Sequence, residues 1–82
     1  MDWDEIGFVK ASHVRERVLR ELVDKPLTPR DLTRQLNLHF PQVSVALKQL
    51  TQRGLTTCLT ESRQKGRLYG ITSRGQAVVA KL

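Results

Sequence analysis

The sequence predicts one α+β domain, mainly helical: a three-helix core, then a two-stranded β-hairpin, then a C-terminal helix, with a short helix ahead of them all. Three observations carry this expectation. Caps and apolar stripes at helical spacing recur between residues 12 and 54. Two runs rich in Thr and aliphatic residues, 55–60 and 67–72, flank a polar loop that ends in glycine. A further set of capping residues follows directly after them.

Residues 2–10 admit two readings. Trp3, Ile6 and Val9 recur at helical spacing, whereas Ile6, Phe8 and Lys10 fit the alternation of a strand; a short helix is preferred. Ser12 then caps a helix over about 12–24 with Val14, Val18, Leu19 and Leu22 along one stripe. Pro26 ends it, because the residue before a proline is driven out of the α region. The run Thr28, Pro29, Arg30, Asp31 is the best local signal. Thr28 caps, Pro29 takes the first helical position, where a missing N–H costs nothing, and Asp31 is placed to close a capping box. Leu27 and Leu32 flank that cap as a hydrophobic staple, and Asn37 suits a left-handed exit from a helix over 28–36.

After a turn of three residues a helix restarts near Pro41, buries Val43, Ala46, Leu47 and Leu50, and stops at Gly54. Two short amphipathic helices joined by a tight turn make a helix-turn-helix. Residues 55–60 and 67–72 read as strands, and their pattern leaves open which residues face inward. Thr72 or Ser73 caps the last helix, with Gln76 completing a capping box from Ser73 and Val78, Val79 and Leu82 on its apolar side. Helix, helix, turn, helix, hairpin, helix is the order of a winged helix.

Composition bounds the function. The 82 residues make one domain, 1–82. A domain this small buries only ~60% of its unfolded surface, so self-association would add stability. No apolar run approaches the ~20 residues that span a bilayer. The start carries Asp2, Asp4 and Glu5, the opposite of a signal peptide's basic start, which points to the cytoplasm. Cys58 stands alone and reads as a small buried hydrophobe; His13 and His39 are far apart with no carboxylate at ligand spacing, so no metal is expected. Glycine-rich phosphate loops, nucleophile elbows and paired catalytic carboxylates are absent from the sequence, which argues against an enzyme, a cofactor or a small-molecule ligand.

Charge is unevenly placed. The chain has 14 Lys and Arg against 8 Asp and Glu, a net charge of +6, and all of that excess lies in residues 48–82, where Glu61 is the sole acid; residues 32–60 contain no acid at all. Such asymmetry suits a phosphate-facing surface. The helix over about 41–53 is the natural major-groove reader. Its far side carries Val45, Lys48, Gln49 and Gln52, flanked by Gln42 and Ser44. Gln can pair bidentately with adenine and Val45 can pack on a thymine methyl, while Lys48 and Arg53 suit phosphates. In the hairpin loop, 61–67, Arg63, Gln64, Lys65 and Arg67 are placed for a minor groove or a phosphate strand. The competing use of such cations is to blunt an exposed β-edge. Thr28, Arg30 and Arg34 are weaker candidates for the backbone. Trp3, Phe8, Val79 and Leu82 exceed what a small core needs and suggest a dimer surface.

Residues 27–50, then Arg53, Gly54 and Leu55, then 65–75, resemble the archaeal winged helix-turn-helix regulators related to the ArsR and MarR families. Val43, Ser44, Leu47, Leu50, Gly54 and Leu55 match their Val-Ser-x-x-Leu-x-x-Leu-x-x-x-Gly-Leu pattern, and Gly66, Arg67, Tyr69, Thr72 and Gly75 match Gly-Arg-x-Tyr-x-x-Thr-x-x-Gly. Phe8, Val9 and Ser12, leading into Val18 and Leu19, are similar too. The resemblance implies DNA binding through the third core helix and the hairpin, as a homodimer on a palindromic site, with Ser44 at a position that touches DNA. Val45 stands where a basic or polar residue is frequent, and Pro41 where a polar cap is frequent. The cysteine motif of the arsenic-type sensors and the long dimerisation helices of the MarR type are unmatched, so no metal or ligand response is carried over. The expected function is a sequence-specific, double-stranded-DNA-binding transcriptional regulator; the alternative is a protein-interaction winged helix of a transcription or replication assembly.

Overall fold

The computed structural model describes residues 3–82; Met1 and Asp2, the latter part of the acidic start, lie outside the described residues. The elements run α1 (Trp3–Lys10), α2 (His13–Glu21), α3 (Pro29–Leu36), α4 (Phe40–Gln52), β1 (Thr56–Cys58), β2 (Tyr69–Ile71) and α5 (Ser73–Val79). The amino-terminal segment is therefore helix rather than strand. It buries Ile6 and Val9, as helical spacing requires, and leaves Trp3 exposed.

Capping chemistry sets most boundaries. The Ser12 hydroxyl accepts from the Arg15 N–H and starts α2. At α3 the capping box is complete: Thr28 Oγ1 accepts from Asp31 N at 3.1 Å and Asp31 Oδ2 accepts from Thr28 N at 3.2 Å. Asn37 leaves α3 in the left-handed region, with φ 55°, and Arg17 Nη2 donates to the Leu36 carbonyl, satisfying one of the acceptors a helix end leaves open.

Three boundaries differ from the sequence expectation. The helix expected to run to about residue 24 ends at Glu21, where Leu22 and Val23 donate to Leu19 and Arg20 in a tightened last turn. The chain must extend again before Pro26 because Leu27 pairs with Tyr69 through two 2.9 Å backbone bonds. The last helix is capped by Thr72, not by a box from Ser73 to Gln76. Thr72 Oγ1 accepts from Gly75 N and donates to the Gly54 carbonyl, and that second bond fixes which residue is the cap. Finally, α4 begins at Phe40 and ends at Gln52, so Arg53 lies just beyond it as the C-cap.

The strands are shorter than the runs 55–60 and 67–72. They pair antiparallel with Thr57 opposite Gly70. The pairing continues only to the Leu59 N–H on the Leu68 carbonyl, after which Thr60 Oγ1 takes the Leu68 N–H. Inward residues are now assigned: Leu55 and Thr56 are buried, and Leu59 is exposed with its side chain laid over Gly70. Cys58 is half-buried rather than buried, because it lies beside a surface groove.

Val9, Val18, Leu19, Leu22, Leu32, Val43, Leu47, Leu50 and Leu55 form one core. α4 crosses both α2 and α3 within it. A helix-turn-helix followed by a two-stranded hairpin and a last helix is the winged-helix fold, mainly helical, with the hairpin as the wing. No helix among the described residues is long and apolar enough to cross a membrane.

Candidate nucleic-acid interface

The burial of Val43, Ala46, Leu47 and Leu50 fixes which side of α4 faces out. At 100° per residue the centre of the outer arc holds Pro41, Ser44, Val45, Lys48 and Gln52, and all five are exposed. The wing folds back beside this arc. One groove is lined by Thr28, Pro29 and Arg30 at the start of α3, Phe40 and Ser44 of α4, residues 64–67 of the wing, and Tyr69. A second continues along α4 past Ser44, Lys48, Thr51 and Gln52 to Cys58, Glu61 and Arg67. Ser44, Arg67 and Tyr69 line both, so the two grooves share a wall. Residues far apart in sequence are thereby collected onto one face: Thr28 and Arg30, Ser44, Lys48 and Gln52, Gln64, Lys65 and Arg67.

The first groove contains cations and no acid, since Arg30, Lys65 and Arg67 are its charged residues. Glu61 is the one acid lining the second. The Arg67 side chain is held across the wing by its Nε–H donating to the Arg63 carbonyl. Glycine at 66, with φ 65°, gives the wing a turn that other residues adopt at a cost. Arg34 lies outside the first groove, where its guanidinium pairs with Asp31 at 3.0 Å while staying 76% exposed. That partner, together with the two Thr28 bonds, holds the Asp31 carboxyl below its ordinary value of 3.8; the Thr28 backbone bond is the largest cause.

Three residues expected to face DNA make hydrogen bonds to other parts of the chain, though Gln42 and Arg53 stay exposed and Gln49 half-buried. Gln42 Oε1 accepts from His39 N and caps α4. Gln49 Oε1 accepts from Arg15 Nη1. Arg53 Nη1 donates to Glu5, whose carboxylate is buried, and its guanidinium sits 4.0 Å from the centre of the Phe8 ring. Arg15 stands the same 4.0 Å from that ring. Phe8 is thus sandwiched between two guanidiniums, a cation–π arrangement that clamps α1 to α2 and to the end of α4. Arg74 adds a second cation near Glu5 at 3.9 Å. Of the residues expected at a dimer surface, Trp3 is 71% exposed, while Phe8, Val79 and Leu82 are half-buried against the core.

Phe40 and Tyr69 lie on this face and are not among the DNA contacts that the sequence suggests. Phe40, 49% exposed, lines the first groove. Its signal was the pair His39 and Gln42, spaced as a cap and its return bond, which sets the helix start at Phe40 rather than Pro41. Tyr69 lies in the shared wall, one residue from a glycine that the pleat turns inward.

No protein-family model matches the sequence, and no curated protein matches it either. Solved structures do match. A MarR-family regulator from Neisseria meningitidis superposes with a TM-score of 0.77 at 25% identity, over 95% of this chain and 56% of that one. The adhesin competence repressor of Streptococcus pyogenes gives 0.76 at 20% identity, over 85% of this chain and 53% of that one. A PadR-family transcription regulator from Clostridium difficile gives 0.73 at 18%, over 85% and 82%. This chain spans only about half the length of the first two. The fold is that of winged-helix transcription regulators, shared across proteins of different lengths and little common sequence.

Proposed function

We propose that this chain binds double-stranded DNA sequence-specifically and regulates transcription, with α4 in the major groove and the wing, 61–67, on the backbone or the adjacent minor groove. The observation that carries the reading is the acid-free groove in which Arg30, Ser44, Lys65 and Arg67 meet. An α-helix fits a major groove ~12 Å wide. The cations beside it then fall where phosphates run, and phosphate contacts fix register while side chains on the helix read bases. Likeness to solved transcription regulators supports the regulatory role. Two copies joined through the α1 and α5 side, where Trp3 is exposed, would present two such faces to a palindromic site.

Duplexes selected from a random pool test the reading. Enrichment of one sequence, with binding weakened about equally on all sequences when Arg63 or Lys65 becomes Gln, is the expected outcome. Failure to enrich any duplex would overturn it. A second reading, a protein-interaction winged helix, draws on the exposed Phe40 and Val45 at 49% and 56%. Recovery of a transcription or replication subunit on the wild-type chain but not on Val45→Asp, with no duplex enriched, would favour it.

A further inference from the structure

A duplex that takes α4 in its major groove and the wing beside it leaves one backbone strand to run in the channel between them. That channel is the pair of grooves whose shared wall is Ser44, Arg67 and Tyr69. The hairpin aims Tyr69 into it. Cys58 and Tyr69 are partners in the register, so their side chains leave the hairpin on one face, the face of Thr56. The Thr56 hydroxyl meets that of Thr51 at 2.8 Å, which turns this face toward α4. The Tyr69 ring is half-buried against the core. Its hydroxyl has no hydrogen-bond partner among the described residues. The backbone beneath it is fixed, because Tyr69 exchanges two 2.9 Å bonds with Leu27, the residue before the Thr28 cap of α3. The phenol is thereby held in place relative to both α3 and the wing, and Arg30, Lys48, Lys65 and Arg67 stand around the same channel.

We infer that the Tyr69 hydroxyl donates to a phosphate of the strand that passes between α4 and the wing, as an uncharged anchor that fixes where the duplex sits. The contact rests on the DNA-binding reading and adds to it a residue that grips the backbone without charge. The four cations around the channel are exposed, and their long side chains lose rotamer freedom when they settle on a phosphate. Tyr69 has few torsions and a packed ring, so little freedom is lost when its hydroxyl is engaged. A neutral donor neutralises no phosphate, and it therefore strengthens binding without steepening the salt dependence.

The test uses the tightest duplex from a random pool, with binding of the full chain read by fluorescence anisotropy across a range of salt concentrations. Tyr69→Phe keeps the ring and removes the hydroxyl. It should weaken binding about tenfold, ~1.4 kcal/mol, because a hydrogen bond to a charged group is lost. Its melting temperature and its slope of log K against log salt should match the wild type, whereas Arg67→Gln should lower the slope by ~0.9. Uncharged methylphosphonate linkages, placed one at a time along the duplex, then locate the contact. At the contacted linkage the Tyr69→Phe penalty should shrink to within about twofold. Equal binding by Tyr69→Phe and the wild type would overturn the inference and leave DNA binding standing. A clearly lowered melting temperature in Tyr69→Phe would overturn it too, because the hydroxyl would then serve the fold. So would a penalty unchanged at every methylphosphonate linkage, because the hydroxyl would then touch no phosphate. Binding of no duplex at low salt would overturn this inference and the DNA-binding reading together.

Discussion

Single side chains decide where this chain turns and what it can present. Thr28 and Asp31 exchange two hydrogen bonds at the start of α3, so Thr28→Ala should destabilise the fold by ~1 kcal/mol in denaturant unfolding. The same pair sets a pH dependence. Asp31 titrates below its ordinary value of 3.8 because its ionised form accepts the Thr28 N–H and faces Arg34. A depressed folded value means that its contribution is present above pH 3.8 and is lost as pH falls through the lower folded value. Asp31→Asn should remove that part of the acid limb of the stability profile and leave stability near pH 7 less dependent on the box. Glycines give a second contrast. A Cβ at Gly75 would strike the Leu55 carbonyl oxygen and Ile71 Cγ1, whereas one at Gly7 meets nothing within 4 Å. Gly75→Ala should therefore cost ~1–3 kcal/mol as overpacking. Gly7→Ala, inside α1, should gain ~0.5–1 kcal/mol, and thermal melts of the two variants should move in opposite directions.

At the scale of elements, two units matter most: the clamp of α1 on α4 and the wing. Phe8 lies between Arg15 and Arg53, and these two arginines also hold Gln49 and Glu5. Phe8→Leu keeps an apolar side chain and removes both cation–π interactions, so ~1–2 kcal/mol of stability should disappear in the same denaturant assay. The wing is separable from this. Changing Arg63, Lys65 and Arg67 together to Gln should leave the melting temperature within a few degrees. It should also flatten the salt dependence of duplex binding by about one in the slope for each phosphate no longer neutralised. Elements were the most legible level of the sequence. The α3 cap, the three-residue turn and the stripe of α4 follow from local chemistry that nothing distant overrides. The end of α2 was not legible because a partner 42 residues later, Tyr69, pulls Leu27 into a bridge. The site was legible by half. A helical wheel places Gln49 and Arg53 outside the buried stripe of α4, yet it cannot show that α1 and α2 bring Glu5, Phe8 and Arg15 up against them. Phe40 was hidden for the opposite reason, since a proline marks the helix start one residue too late.

The whole molecule gathers its cations by folding. Arg30, Lys48, Lys65 and Arg67 belong to three separate segments, and the return of the wing beside α4 sets them around one surface with Ser44 and Tyr69 in its shared wall. Glu5, by contrast, holds Arg53 and approaches Arg74 on the α1 side, so part of the basic excess is neutralised away from that surface. Self-association through the exposed Trp3 would be seen by sedimentation as a dimer that Trp3→Ser shifts to the monomer, with half-sites then bound singly. In the function proposed above, the α4 and wing face binds duplex DNA through phosphates. The affinity of the wild-type chain for a selected duplex, titrated across a range of salt concentrations, tests it most directly. Log K should fall linearly with log salt, by ~0.9 for each phosphate neutralised, and the slope should shrink in the Arg63, Lys65, Arg67 variant. A slope near zero, or binding weaker than ~10⁻⁴ M at low salt, would contradict it.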